Sequence, residues 1–497
     1  MISAFANIWK VPELRDRILF TLAMVILVRL GVAVTLPGVD ASVIDEWLAI
    51  RAESGEDNSG VAAVTAMLGI FSGGALQQCG IFALGIMPYI SASIMMQLMT
   101  AIVPKLSKLS REEGGRQKIN QYTRFVTILI SLVQAVLLAR TLENPGSIMA
   151  GVEKVGRDLV PEPGWIFLFM TVLTIVAATM LLMWIGDQIT ERGIGNGISI
   201  IISVNIISAL PGALVQAWDS YVGGSTGGNN LFQPMILVGL LALFLLVISA
   251  VVAITQAQRR IAVQYAKRVV GRKQMTGQTQ YLPLKVNYAG VMPIIFASAI
   301  MTLPTVILSG VFSGQAWASK AQEYLLPSSP WWYVISATMI FFFSYFWVAT
   351  MFQPSEIAEN LKKSGGYVPG VRPGKPTAEF LDFTMTRLTF AGALFLTLVY
   401  IVPAVLTLTL NLNWIVTSFF GGTSLLILVG VLLDVMRQTE THLLQRHYDG
   451  FLRKGKIKGR YDRTKPAGKT ASSTTIVYLW AFAVALVLVV IVAKLIS

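Results

Sequence analysis

The chain has 497 residues, 54% of them hydrophobic and 13% charged, with a mean hydropathy of +0.66 and a formal net charge of +13. A soluble domain carries about 25% charged residues, so this composition argues against a soluble globular chain and for a polytopic membrane protein. A single cysteine, Cys79, excludes an intrachain disulfide and a thiolate metal cluster, and two histidines, His442 and His447, are too few for a typical zinc site.

A membrane-crossing helix needs about 20 mainly apolar residues. In chain order that pattern predicts spans near 18–37, 81–103, 121–142, 165–186, 194–213, 231–256, 288–310, 330–352, 387–410, 421–438 and 475–496. No cleavable signal peptide is evident before the first. The segment "KVPELRDR" carries both signs of charge, and the apolar run after it is long enough to stay in the bilayer. One half-segment, 64–76, is left over. It leads through "FSGGALQQCG" into the second span, and it is too short to cross and too polar at Gln77 and Gln78 to face lipid. Glycine-broken backbone at membrane depth is tolerated only inside protein or along a water-filled cavity. Gly73 and Gly74 each weaken a helix by roughly 1 kcal/mol relative to Ala. An ordinary re-entrant turn satisfies these facts, and so does a movable part.

Orientation follows from the basic residues of the loops. With a cytoplasmic N-terminus, segments 1–17, 101–124, 185–193, 257–287, 352–387 and 437–470 hold 32 Lys and Arg, whereas the loops on the other side hold 4. Two of the inside loops have unusual compositions. "QRRIAVQYAKRVVGRKQMTGQTQYLPLK" has seven basic residues and no acid, and "NLKKSGGYVPGVRPGKPTAEF" sets Arg372 and Lys375 among Pro-Gly turns. Anchoring on anionic lipid accounts for the charge, at about 1 kcal/mol per basic residue near the surface. The turns point further, to a stiff basic tip offered to a protein or RNA partner.

Six stretches in order, "FSGGALQQCGIFALGIMPYISASI", "QITERGIGNGISIII", "RRIAVQYAKR", "LPLKVNYAGVMPIIFAS", "NLKKSGGYVPGVRPG" and "FGGTSLLI", resemble the bacterial SecY family, the channel subunit of the general protein translocase. The resemblance runs from about residue 5 to 460. It implies an all-α polytopic membrane fold of two pseudo-symmetric five-helix halves, 1–216 and 217–440, around an hourglass pore. It also makes the half-segment 64–76 a plug, with Phe71, Ser72, Gly73 and Gly74 at its core.

Further roles follow from the same resemblance. The pore ring maps onto Ile86, Ile90, Ile198, Ile202, Ile295 and Ile427, all isoleucine here. Aliphatic side chains offer water no hydrogen bonds, so a narrow ring of them dewets and seals. The pairs Ile86/Ile90 and Ile198/Ile202 are four apart, which puts each pair on one face of a helix. Pro88 removes a backbone bond there and is expected to kink the span. A lateral gate would open between the second and seventh spans, near Ser91, Ser93 and Gln97 on one and Asn287 and Ser298 on the other. Small residues permit close approach, and membrane hydrogen bonds are weak enough to part.

Docking of the SecA motor ATPase or of the ribosome, through ribosomal RNA, maps onto Arg259, Arg260, Lys267, Arg268, Arg272, Lys273 and Arg372. Arginine pairs bidentately with carboxylate or phosphate, and RNA phosphates add a salt-dependent attraction. The family further implies SecE and SecG as partner subunits, signal sequences and nascent polypeptides as substrates, and the bacterial plasma (inner) membrane as location.

An ion-coupled transporter would carry ionisable residues at mid-membrane. The spans offer Arg29 and Asp434, neither with an obvious partner in the sequence. An intramembrane protease would need a Ser–His or paired-Asp constellation, and both histidines fall in the tail. No nucleotide-binding loop is present, so no enzymatic activity, metal or cofactor is expected, and the energy source is external. The chain departs from the family after about 465. A basic linker, 441–474, precedes "IVYLWAFAVALVLVVIVAKLI", which is predicted to be an additional transmembrane helix over 475–497 with the C-terminus outside. A fused partner subunit or a non-spanning hairpin are the alternatives.

Overall fold

A computed structural model describes residues 12–44, 46–47, 69, 71–112, 114–143, 157–221, 233–265, 269–270, 273–274, 279–310, 315–325, 329–410 and 422–453. In chain order its elements are α1 (Pro12–Val32), α2 (Met87–Ile102), α3 (Pro104–Arg111), α4 (Gly115–Glu143), α5 (Trp165–Arg192), α6 (Gly197–Tyr221) and α7 (Gln233–Gln256). There follow β1 (Gln258–Tyr265), β2 (Val269–Val270), β3 (Lys273–Gln274), β4 (Thr279–Lys285), α8 (Met292–Gly310), α9 (Ala316–Tyr324), α10 (Pro330–Met351), α11 (Pro354–Lys363), β5 (Gly366–Tyr367), α12 (Lys375–Leu410) and α13 (Thr423–Arg453).

Each expected span from 18–37 to 421–438 coincides with one of these helices. Among the described residues, six stretches are by length and composition fit to cross a bilayer alone: Gln117–Glu143, Trp165–Arg192, Gly197–Val215, Val238–Gln256, Pro330–Lys363 and Lys375–Pro403. Their outward faces carry Trp165, Phe169, Leu173, Leu241, Leu245 and Phe342, all exposed in the isolated chain. Water would penalise so much apolar surface, whereas lipid accepts it. The expected span 475–496 lies outside the described residues.

The second span differs from expectation. Residues 81–86 form turns, and helix begins only at Met87. Pro88 is therefore the second helical residue, where its missing N–H would have had no intrahelical partner, so it starts the helix and does not kink it. The bend comes at the other end, where α2 and Pro104–Ser110 meet at 104°. The seventh span likewise starts late, at Met292, after a turn with Gly290 at φ +64°. The connection 311–329, expected as a loop, contains α9.

The chain forms two compact units. The first comprises Met1–Tyr89, Thr127–Ser249 and Leu410–Ser497. Here α1 packs on α5, α5 on α6, and α6 on α13. Leu36, Val43, Trp47, Cys79, Ala83, Leu138, Phe167 and Ile175 share one buried cluster. The run "GIGNG" turns α5 into α6. A Cβ on Gly197 would run into the carbonyl of Gly186, so only glycine lets the two helices approach so closely. Gly195 N–H then donates to Gln438 Oε1 on α13 at 2.9 Å.

The second unit comprises Ile90–Val126 and Ala250–Thr409. In it α8 packs on α10, with Phe296 edge-on to both Phe343 and Trp347 at 5.8 and 5.4 Å between ring centroids. An antiparallel sheet in the order β4-β1-β5 lies among the loops that the sequence left irregular. It pairs Ile261 with Leu282 and Gln264 with Tyr367.

Candidate functional site

In the first unit Gly69, Phe71 and Ser72 are helical, and from Gly73 to Gly85 the chain is a run of tight turns around buried side chains. Phe71, Ser72, Ala75 and Cys79 are all buried. Positive φ angles at Gly73 (68°), Gly74 (91°) and Gly85 (56°) give the reversals that glycine permits. Gly74 N–H donates to Gly69 O at 2.8 Å and Gly80 N–H to Ala75 O at 2.7 Å. The segment is moored to the end of the first span by Leu36 N–H to Cys79 O and Ile81 N–H to Val34 O, both 2.9 Å.

Two side chains from neighbouring helices hold its near end. Asn205 Nδ2 on α6 donates to Phe71 O at 2.8 Å. Arg29 Nη1 on α1 donates to Gly73 O at 3.0 Å and to Ser208 Oγ at 3.1 Å. Arg29, unpartnered to the eye in the sequence, thus has partners. Asp434 remains exposed on α13. Residues 64–68 and Ile70 of the expected plug lie outside the described residues.

The six isoleucines divide between the units. Ile86, Ile198, Ile202 and Ile427 belong to the first, Ile90 and Ile295 to the second. Ile86, Ile90, Ile202, Ile295 and Ile427 are buried, whereas Ile198 is half-buried with its Cγ1 against Gly186 of α5. Ile86 sits in the turn before α2, so the expected helical pairing of Ile86 with Ile90 is broken at the helix start. Ile198 and Ile202 do share a face of α6, and Asn205 lies three residues on along that face. The side chain that grips Phe71 O is therefore in register with two residues of the expected ring. Ile427 is on α13, which packs against α6.

The expected gate residues lie in the second unit. On α2, Gln97 Nε2 donates to Ser93 Oγ at 3.2 Å, one turn back, and Gln97 Oε1 is buried without a hydrogen-bond partner among the described residues. Ser91 is half-buried on the same helix. Ser298 Oγ on α8 donates to Ile295 O at 2.9 Å. Asn287 is not on the span as expected. It stands in the turn before α8, where its Nδ2 donates to Gly290 O at 3.1 Å.

The two basic loops, separate in the sequence, share one sheet. Strand β1 carries Arg259 and Arg260, both exposed and on opposite faces because strand residues alternate. Strand β5, from the second loop, adds to the far end of β1, and Tyr367 Oη donates to Gln264 Oε1 at 3.0 Å. The tip follows at once. Gly370 and Gly374 have φ of 85° and 104°, Val371 N–H donates to Val368 O at 3.1 Å, and Thr377 Oγ1 holds the Arg372 carbonyl at 2.8 Å. The Arg372 side chain is exposed on a fixed backbone. Lys273 lies in β3, and Lys267, Arg268 and Arg272 fall outside the described residues. Beneath the sheet, Ile261, Val263, Leu284, Val348, Phe352, Val368, Leu381 and Met385 form a buried cluster. The signal that could have found this sheet was present: "RRIAVQY" alternates, and "QYLPLK" alternates opposite it.

Comparison with known proteins bears on all of these elements. The family model SecY matches residues 80–436. A Streptomyces scabiei protein named protein translocase subunit SecY is 41% identical over 456 residues, covering 91% of this chain and all of the relative. The Escherichia coli K12 protein of the same name is 43% identical over 450 residues, covering 90% of this chain and 96% of the relative. Among solved structures, a protein-conducting channel superposes with a TM-score of 0.58 at 17% identity, covering 90% of this chain and 95% of the other.

Proposed function

The chain belongs to the SecY family of protein translocase subunits, and on that premise we propose how its residues divide the work of passing an unfolded polypeptide through a membrane channel. The observation that carries the reading is the turned segment Gly69–Gly85. It is buried, moored to α1 and gripped by α6 on the face that bears Ile198 and Ile202. A part at membrane depth whose helix breaks off at Gly73 into turns suits a stopper that leaves and returns better than it suits a strut.

In this mechanism Phe71, Ser72, Gly73 and Gly74 belong to a plug, and Ile86, Ile90, Ile198, Ile202, Ile295 and Ile427 make the constriction. The ring stretches around a chain without recognising its sequence, because aliphatic contact is non-directional. The halves 1–216 and 217–440 part to admit signal sequences and nascent polypeptides. Apolar segments leave sideways past Ser91, Ser93, Gln97, Asn287 and Ser298. Gln97 with Ser93, Asn287 and Ser298 each make a hydrogen bond within their own segment. Those bonds survive when the two spans part.

The joined sheet of the two basic loops suits a motor or ribosome dock. Arg259, Arg260 and Arg372 are exposed there on stiff backbone, and Lys267, Arg268, Arg272 and Lys273 add to the basic charge of the first loop in sequence. SecA, the ribosome through its RNA, SecE and SecG are the partners in this reading, with anionic lipid beneath the loops. The energy for transport comes from outside the chain, from a motor, a translating ribosome or the membrane potential. Its setting is the bacterial plasma membrane, with the N-terminus in the cytoplasm. The tail 441–474 stays inside, and 475–497 crosses to put the C-terminus outside.

Deleting residues 66–76 and recording the reconstituted complex in planar bilayers tests the plug. The deleted channel is expected to conduct ions at rest. A deletion as tight as the parent would overturn the assignment.

A further inference from the structure

An arginine in an apolar span is expensive and is normally functional. Arg29 interrupts "LAMVILVRLGVAV". It lies in the last turn of α1, where a cation complements the helix dipole. That benefit needs no particular side-chain direction, yet the guanidinium is directed across to other elements. Nη1 reaches Gly73 O and Ser208 Oγ. Ser208 Oγ in turn donates to Asn205 O at 2.7 Å, which orients it to accept from Arg29. Asn205 Nδ2 holds Phe71 O. A closed network thus ties α1 and α6 to two carbonyls of one short segment, Phe71 and Gly73.

Gly73 is fitted to this grip. An ideal Cβ there would lie 2.6 Å from Asn205 Oδ1 and 2.8 Å from Arg29 Nη1, at a φ of +68° that other residues rarely adopt. Asn205 Oδ1 is buried and has no hydrogen-bond partner among the described residues, although such groups are uncommon. That spare acceptor stands beside a donor that would lose its own partner if the segment left. Departure therefore need not strand either group.

Resting on the plug reading above, we propose that Arg29 and Asn205 form a two-point latch that holds the plug by its backbone in the closed channel. The latch recognises carbonyl oxygens and no side chain, so it tolerates changes of plug sequence that keep Gly73. Ser208 is its positioning residue. Arg29 needs no acidic partner in this role, since a charged donor to a carbonyl is among the stronger neutral-acceptor hydrogen bonds.

The test is resting conductance of the reconstituted complex in planar bilayers, with Arg29→Met, Arg29→Lys and Asn205→Ala placed in the full chain and in the chain lacking 66–76, and Gly73→Ala placed in the full chain. In the full chain Arg29→Met, Asn205→Ala and Gly73→Ala should each raise the resting open probability about tenfold. Arg29→Lys, which keeps a donor, should fall nearer the parent. In the deleted chain Arg29→Met and Asn205→Ala should add nothing. If Arg29→Met inserts poorly, Asn205→Ala and Gly73→Ala carry the same test. A leaky deletion alongside latch variants as tight as the parent refutes the latch and leaves the plug standing. A tight deletion refutes the plug reading itself. Equal added leak with and without residues 66–76 places the action of Arg29 elsewhere and also refutes the latch.

Discussion

Replacing Ile261 by Ala probes whether the docking surface depends on the sheet that joins the two basic loops. Ile261 is 6% exposed, faces the cluster of Val263, Leu284, Val348, Phe352 and Leu381, and pairs across the strands with Leu282. The change removes three carbons, worth about 2.4 kcal/mol at ~0.8 kcal/mol for each buried methylene. A residual cavity raises the cost toward the ~2–5 kcal/mol range of such truncations. At 1.4 kcal/mol per decade, local opening of the sheet becomes about 50-fold more frequent. Hydrogen exchange of the purified complex, read on peptides covering 258–265 and 279–285, should accelerate by that order, while peptides from the span 330–351 hold their rates as an internal reference. Ile261→Val should sit between, at about 0.5–1.5 kcal/mol. Unchanged exchange in β1 and β4 with Ile261→Ala would refute the claim that this cluster stiffens the loops. Acceleration throughout the spans would refute its being local.

Two other predictions address partners and topology. Arg372→Glu should abolish SecA-driven export while the protein remains inserted at parental level, because it reverses an exposed charge on a backbone held by Thr377; normal export by the variant in inverted vesicles would sink the docking assignment. A cysteine at Ser497 in a Cys79→Ser background should react with an impermeant thiol reagent added outside intact cells, and labelling only after the membrane is opened would remove the crossing proposed for 475–497.

Much of the helical plan was legible because a bilayer enforces it locally. A backbone in hydrocarbon must satisfy its own hydrogen bonds, so a long apolar run such as 165–186 has few outcomes besides a helix. The helix start at Met87 was less visible. Residues 81–86 are as apolar as those that follow, and what keeps them out of the helix is their mooring to Val34 and the turn at Gly85. Position decided Pro88 as well: one turn deeper it would have kinked a helix, whereas at its start it begins one.

The site was legible residue by residue and hidden in its pairings. Composition marks "QRRIAVQYAKR" and "VPGVRPG" as basic and stiff, because charge and turn chemistry are properties of short stretches. That β5 joins β1 across some 100 residues of chain is a choice among partners, made by the buried face they share with α10 and α12. Arg29 shows the division most sharply. Its cost in an apolar span can be read from the sequence alone. Its partners cannot, because the groups that offset the cost are a carbonyl and a hydroxyl, Gly73 O and Ser208 Oγ, and backbone carbonyls look alike at every position until the fold brings a particular one to hydrogen-bonding distance.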